Sequence, residues 1–159
     1  MSGRFFPGFS ALFLAFFFLV PSTTSMFAQQ IASEPSAHER GLVAESFVNE
    51  RLAVWQQLLN LQDWKISIIM SHPSDLKPKT LGNIHWDSDK KSAVIRVLDS
   101  SDYKMGFHEM LDDMEFTVVH ELIHLELSSL PRSEASRREE EHAVNQIAEA
   151  LLKLNRKGK

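Results

Sequence analysis

Residues 112–129 form the most restrictive pattern in the sequence, because they predict one amphipathic helix with two chemically different sides. Val118 and Leu122 lie on its apolar side, while His120 and His124 lie on the opposite side. Residues four apart on a helix are about 6 Å apart along its axis and face nearly the same way. We therefore expect one side of this helix to pack on a core and the other to border a cleft.

The remaining hydrophobic patterns place this helix in a small α+β domain. Asp112, with Glu115 three residues later, has the spacing of a capping box and predicts where the helix begins. After Pro131, either Ser133 or Ser136 is expected to cap a further amphipathic helix that runs to the basic end of the chain. Earlier patterns predict an amphipathic helix over residues 39–61, strands over 64–70 and 92–98, and a weaker strand over 80–86.

The first 28 residues predict a secretory signal peptide. Arg4 precedes an uninterrupted apolar run over residues 11–20, which Pro21 ends. A membrane-spanning helix needs about 20 apolar residues, so we expect no stable membrane insertion once the signal is cleaved. Residues 29–38 are polar and predict a linker. The folded domain is therefore expected to span residues 39–159 of a secreted or periplasmic protein.

Composition narrows the kinds of site that such a domain can carry. The chain has 159 residues, which suffices for one domain with a core of its own. Its formal net charge is −4, so it lacks the basic surface of a nucleic-acid-binding protein, and we expect no nucleic-acid partner. It contains no cysteine, so any metal ion must be held by histidine, glutamate or aspartate.

His120, Glu121 and His124 form a His-Glu-x-x-His pattern, which predicts a metal site with an adjacent base. Neutral imidazoles are good ligands of Zn²⁺, and catalytic zinc sites commonly take three protein ligands and a water. Glu121 points about 100° around the helix from His120, beside the metal position, where a general base for a bound water belongs. Zn²⁺ is the expected cofactor, although two histidines and a carboxylate also suit Fe²⁺.

Three consecutive residues, Glu140, Glu141 and His142, are candidates for the third ligand. His124 lies five residues before the expected end of its helix, and Glu141 lies five residues after Ser136, one of the two expected starts of the next. An antiparallel hairpin places both about 7.5 Å from the turn, so we predict Glu141 as the ligand. Glu140 and His142 remain alternatives, as does a solvated acidic run without a metal. One turn further on, Asn145 is predicted to hold a ligand histidine.

These segments resemble small zinc metallopeptidases of the minimal gluzincin type, which are predicted in bacteria and phages. The resemblance covers roughly residues 40–154, and its most specific part is residues 116–125. It implies a zincin-like fold with an N-terminal helix, a small mixed sheet of about three strands, an active-site helix and a C-terminal helix that carries the third ligand. It also implies a zinc peptidase with Glu121 as general base, and the expected signal peptide would make that peptidase a secreted one. An edge strand, here residues 93–98, would pair with an extended peptide or protein substrate. The weaker segments are residues 61–66, 93–97 and 140–144.

Two other functions remain open from the sequence. A zinc-binding scaffold without turnover fits the small size and the lack of an evident oxyanion-stabilising residue, although it would not need Glu121. Tyr103 and His108, expected in the loop before the metal-binding helix, are candidates for oxyanion stabilisation, and His108-Glu109 is not expected to bind metal. A SprT-like protease acting on DNA-bound proteins would require a basic surface, which the acidic composition does not indicate.

Overall fold

A computed structural model of the protein describes residues 36–131 and 133–158, so the expected signal peptide lies outside the described residues. The structure is α+β, as predicted, with three helices and a small mixed sheet. None of the described helices combines the length and the apolar character needed to cross a bilayer. The elements are, in order, α1 (Ala37–Leu58), β1 (Lys65–Ser71), β2 (Gly82–Asp87), β3 (Ser92–Leu98), α2 (Phe107–Glu126) and α3 (Glu134–Lys157).

Serine capping boxes determine where α1 and α3 begin. Ser36 and Glu39 exchange hydrogen bonds, with the Glu39 N–H donating to Ser36 Oγ at 3.3 Å and the Ser36 N–H donating to Glu39 Oε2 at 2.9 Å. Helix α1 therefore begins at Ala37, and residues 37 and 38 of the expected linker are helical. Ser133, rather than Ser136, caps α3 by accepting a hydrogen bond from the Ser136 N–H at 3.2 Å.

Helix α2 begins at Phe107, so the capping box predicted for Asp112 and Glu115 was wrong. Residues 107–111, which the prediction left outside the helix, are held in α2 by the core, because the Met110 side chain is completely buried. Burial of this side chain outweighs the local preference of aspartate for a cap position. His108 consequently lies in the first turn of α2 and not in a loop.

The sheet has the strand order β1-β3-β2, with β3 parallel to β1 and antiparallel to β2. The bounds predicted for β3 were confirmed, but its expected position at the sheet edge was wrong, because it pairs with a strand on each side. Ala93, Ile95 and Val97 face the core and are at most 3% exposed, as befits a central strand. Strand β2 occupies the sheet edge next to α2.

Buried side chains from α1, α2, α3 and β3 form one core beneath the sheet. At its margin, Trp55 Nε1 donates a hydrogen bond of 2.9 Å to Oε1 of the buried Glu115. Arg51 and Arg156 lie 3.7 and 3.8 Å from the two oxygens of the same carboxylate. A buried carboxylate requires such partners, and these connect the three helices at a single point.

Candidate metal centre

The α2–α3 helical pair brings the three predicted metal ligands together. The Nε2 atoms of His120 and His124 are 3.0 Å apart. Glu141 reaches across from α3, with Oε2 at 3.4 Å from His120 Nε2 and Oε1 at 3.4 Å from His124 Nε2. Two histidine nitrogens and one carboxylate group therefore converge on one point.

This donor set fits a zinc ion. Zinc–nitrogen and zinc–oxygen bonds of about 2.0–2.1 Å at tetrahedral angles separate neighbouring ligand atoms by about 3.3 Å. The three observed separations of 3.0, 3.4 and 3.4 Å lie close to that value. The Glu141 side chain is 52% exposed, so the point of convergence is accessible from one side.

Both histidines are oriented by acceptors on α3 that contact their other ring nitrogen. Asn145 Oδ1 lies 3.0 Å from Nδ1 of His120, and Glu140 Oε1 lies 3.0 Å from Nδ1 of His124. Glu140, the alternative third ligand, thus contacts the side of His124 that faces away from Glu141. Outer partners of this kind fix the ring orientation of metal-binding histidines. His142, the other alternative, is exposed and lies outside the cluster.

The contacts of Asn145 and Glu140 with the Nδ1 atoms bear on the protonation of the Nε2 atoms. When Asn145 and Glu140 accept from the Nδ1–H groups, neutral rings must carry their lone pairs on Nε2. Two lone pairs and a carboxylate then face one another across about 3 Å. Such an arrangement repels itself unless a positive charge lies between the groups, which is the role of a metal ion or a proton.

Burial shifts the pKa of two groups in the cluster. Burial and the charge of neighbouring His124 lower the pKa of His120, which favours the neutral, metal-binding imidazole. Burial, and then the negative charge of Glu141, raise the pKa of Glu121 to about 7, against the opposing effect of Lys77. Glu121 therefore lies beside the predicted metal ligands, and in the metal-free protein its pKa is raised into the range that suits proton transfer near neutral pH.

A cavity of about 740 Å³ lies in front of the cluster and runs along β2. Five consecutive residues, 82–86, border it. Because successive side chains of a strand point to opposite faces, a cavity that touches all of them must follow the edge of the strand. Backbone groups of this edge are thus presented to whatever occupies the cavity.

Gly82 brings β2 unusually close to α2, the helix that carries the two histidines. A Cβ atom at this position would lie 2.4 Å from Cγ2 of Thr117 and 2.8 Å from the carbonyl oxygen of Arg96. It would also lie 3.6 Å from Glu121 Oε1, so the strand edge and the carboxylate are neighbours. Only glycine permits this approach of backbone to helix. Apart from the glycine itself, no sequence pattern indicated this contact.

The two residues considered for oxyanion stabilisation do not line the cavity. The Tyr103 side chain is buried, and its hydroxyl donates to Oδ2 of Asp113 at 3.0 Å. His108 lies in the first turn of α2 against the ring of Phe107. Lys77, which sequence reasoning missed, does line the cavity, on the loop before β2.

A second group of potential ligands, His72, Asp99 and Asp102, lies just beyond the C-terminal ends of β1 and β3. His72 Nδ1 is 2.7 Å from Asp102 Oδ2, and this contact raises the pKa of His72. Asp99 accepts hydrogen bonds from the backbone and hydroxyl of Ser101 at 2.9 and 2.6 Å. The group is therefore accounted for by an ion pair and a cap of the 3₁₀ turn Ser100–Asp102.

No protein-family model, curated protein or solved structure matches this chain. The fold in any case would not determine the chemistry, because one fold hosts many activities. Function has to be inferred from the residues of the site and their geometry. Among the described residues, His120, His124 and Glu141, with Glu121 beside them, carry the most specific chemistry.

Proposed function

We propose that this protein is a secreted zinc-dependent peptidase of zincin-like fold, with His120, His124 and Glu141 as the metal ligands. The observation that carries the proposal is the convergence of two Nε2 atoms and one carboxylate, while both Nδ1 atoms contact acceptors on α3. The apolar run near the N-terminus supports the extracytoplasmic location. Peptides or proteins are the proposed substrates.

Two features favour a catalytic centre over a purely structural metal site. Structural zinc sites are usually closed by four protein ligands, whereas three converge here and the side towards the cavity is open. Glu121 lines this cavity and makes no hydrogen bond or ion pair with another side chain of the described residues. A largely buried carboxylate that faces a cavity and has no side-chain partner among the described residues is a candidate for a chemical role.

The reaction can be assigned to particular groups of the chain. Bound zinc would polarise the scissile carbonyl and acidify a water molecule. Glu121 would take the proton of that water, since its carboxylate lines the same cavity beside the proposed ligands. Glu140 and Asn145 would keep the imidazoles in the orientation that binding needs. Strand β2, rather than β3, would hold an extended peptide at the entrance to the cavity.

Metal analysis of the purified protein tests the proposal. We expect about one zinc per chain in the wild type, and loss or strong weakening of binding in His124→Ala and Glu141→Ala. Glu139→Ala is the matched control, because Glu139 is an exposed acid next to the cluster and outside it. A well-folded wild type that binds no zinc, or a Glu141→Ala variant that binds it normally, would contradict the proposed centre.

Glu121→Gln separates a peptidase from a zinc-binding scaffold. The amide keeps the size of the side chain but cannot accept the proton, so peptide hydrolysis should fall by at least about 100-fold while zinc remains bound. Hydrolysis of a peptide library is followed by mass spectrometry, with zinc content measured on the same samples. Stoichiometric zinc with no hydrolysis by the wild type would favour the scaffold.

A further inference from the structure

The loop that enters β2 presents two lysines on a tight turn. The Thr80 N–H and hydroxyl donate to the Lys77 carbonyl oxygen at 3.1 and 2.9 Å, which closes a four-residue turn with Pro78 at its second position. Lys79 occupies the third position with a φ of 66°, in the left-handed region where glycine or asparagine is usual. This backbone conformation is energetically unfavourable for a lysine, and residues with such strained conformations are often found at functional sites.

Both lysines line the cavity, and so does Arg137 on α3. Within the described part of the chain, no carboxylate oxygen lies within 4.0 Å of the charged nitrogens of these three residues. The lysines are exposed. Positive charge is thus available in the same cavity as Glu121 and the proposed metal ligands.

The acidic residues of the cavity, by contrast, are already engaged or buried. Asp113 accepts from the hydroxyl of Tyr103, Glu140 contacts His124, and Glu141 faces both ligand histidines. The four acids of the lining, these three and Glu121, outnumber its three cations, so the cavity as a whole is not positive. The two lysines instead form a local positive region at the turn before β2, which favours a negatively charged group at that end of the cavity's occupant.

The direction of β2 indicates which end of a peptide meets the lysines. Strand β2 already pairs with β3 in antiparallel fashion, and antiparallel pairing is the more stable kind per residue. A peptide added antiparallel to the outer edge of β2 would have its C-terminal end beside Gly82. The turn that carries Lys77 and Lys79 immediately precedes Gly82 in the chain.

We propose that the turn Lys77–Thr80 is a carboxylate-recognition site, which selects peptides with a negative charge on the C-terminal side of the bound segment. The proposal rests on the proposed peptidase function and names its substrate class. A C-terminal α-carboxylate and an acidic side chain supply the same chemistry. Ammonium groups bind either one as point charges, so the preference should weaken as ionic strength rises.

Three probe peptides with one neutral core sequence distinguish the sources of the carboxylate. One ends in a free carboxylate, the second in an amide, and the third is an amide with glutamate as its last residue. Their dissociation constants are measured by fluorescence anisotropy on zinc-loaded Glu121→Gln, which lacks the proposed base. We expect at least one carboxylate peptide to bind about 10-fold or more tightly than the neutral amide at low salt.

Charge reversal on the turn tests the assignment to these residues. In the Glu121→Gln background, Lys77→Glu with Lys79→Glu should reduce the preference at least about 5-fold, whereas Lys104→Glu, an exposed lysine outside the cavity lining, should keep it. Lys77→Gln with Lys79→Gln repeats the test without added negative charge, in case the reversal disturbs folding, which circular dichroism monitors.

Equal binding of all three peptides, or a preference that survives both double variants, would overturn the carboxylate site. A preference confined to the free C-terminus would identify the α-carboxylate as the recognised group, and one confined to glutamate would identify the side chain. Cleavage by the wild type is measured on the same peptides. If none is cleaved while the charge preference persists, the peptidase function fails and the binding site stands.

Discussion

Gly82→Ala should destabilise the protein because the added methyl group has no space. Its carbon would lie 2.4 Å from Cγ2 of Thr117, whereas carbon atoms in contact are about 3.5–4.0 Å apart. Rotation of the Thr117 side chain cannot relieve the second contact, which is 2.8 Å to the backbone oxygen of Arg96. Strand β2 must therefore move by about 1 Å or more away from α2.

The expected loss of folding free energy in Gly82→Ala follows from overpacking. Overpacking of a well-packed position costs about 1–3 kcal/mol, and we expect the upper part of this range because one of the two contacts is with backbone. Thr117→Ser removes Cγ2, so Gly82→Ala should cost about 1 kcal/mol less in that background. Gly41→Ala is the control, since a Cβ there has only an ordinary 3.7 Å contact and alanine favours the helix interior.

Urea denaturation followed by circular dichroism measures these free energies of unfolding. Gly82→Ala should lower the midpoint, and Gly41→Ala should raise it, with similar slopes for all variants. If Gly82→Ala unfolds at the wild-type midpoint, the close approach of β2 to α2 is not a feature of the molecule. If Gly82→Ala lowers the free energy of unfolding equally in the wild-type and Thr117→Ser backgrounds, contact with the Thr117 methyl group is not the cause of the destabilisation.

Three further predictions concern the partners of the two histidines, the proposed base and the buried ion pairs. Glu140→Gln and Asn145→Ala should each weaken zinc binding by about 10–100-fold in competition with a chelator, and unchanged affinities would exclude them as histidine partners. In the metal-free protein the raised pKa of Glu121 means that its stabilising contribution is present below pH 4.5 and lost as the pH rises to about 7. The free energy of unfolding of the wild type should therefore fall by about 3 kcal/mol relative to Glu121→Gln across that range, and parallel pH profiles of the two proteins would refute the shift. Glu115→Ala should cost about 3–5 kcal/mol in urea denaturation, because it leaves buried donors without a partner, and a cost below about 1 kcal/mol would contradict this.

The sequence predicted the strands better than their arrangement. Alternating β-branched residues located β3 to the residue, since one face of this strand is buried. The same pattern could not reveal which strand lies at the edge, because pairing partners depend on the path of the chain. Here the chain places β2 on the outer side of β3 after leaving β1, so that the second strand in sequence is the edge next to α2.

The candidate site was predicted where helical spacing alone determines geometry. His120 and His124 share one face of α2, and Glu141 contacts both from α3. The residue count that selected Glu141 took Ser136 as the start of α3, whereas Ser133 is the cap. Counting could not separate the neighbouring Glu140, whose contact with His124 Nδ1 depends on the rotation of α3 about its axis. Lys77 lies on an irregular loop, so no periodicity could have connected it with the cavity.

Helix α3 carries the proposed carboxylate ligand and both partners of the two histidines, yet it is attached to the domain by few apolar groups. Among its described side chains, Val144, Ala148 and Leu152 are buried. An ion bound across α2 and α3 would stabilise this attachment by about 4 kcal/mol at a thousandfold excess over its dissociation constant. Loss of such an ion would weaken the attachment of α3 by the same amount, leaving the apolar contacts and the ion pairs of Arg156 with Asp112 and Glu115 to hold it. If the proposed centre binds zinc, the concentration of free metal would therefore set how firmly α3 is held.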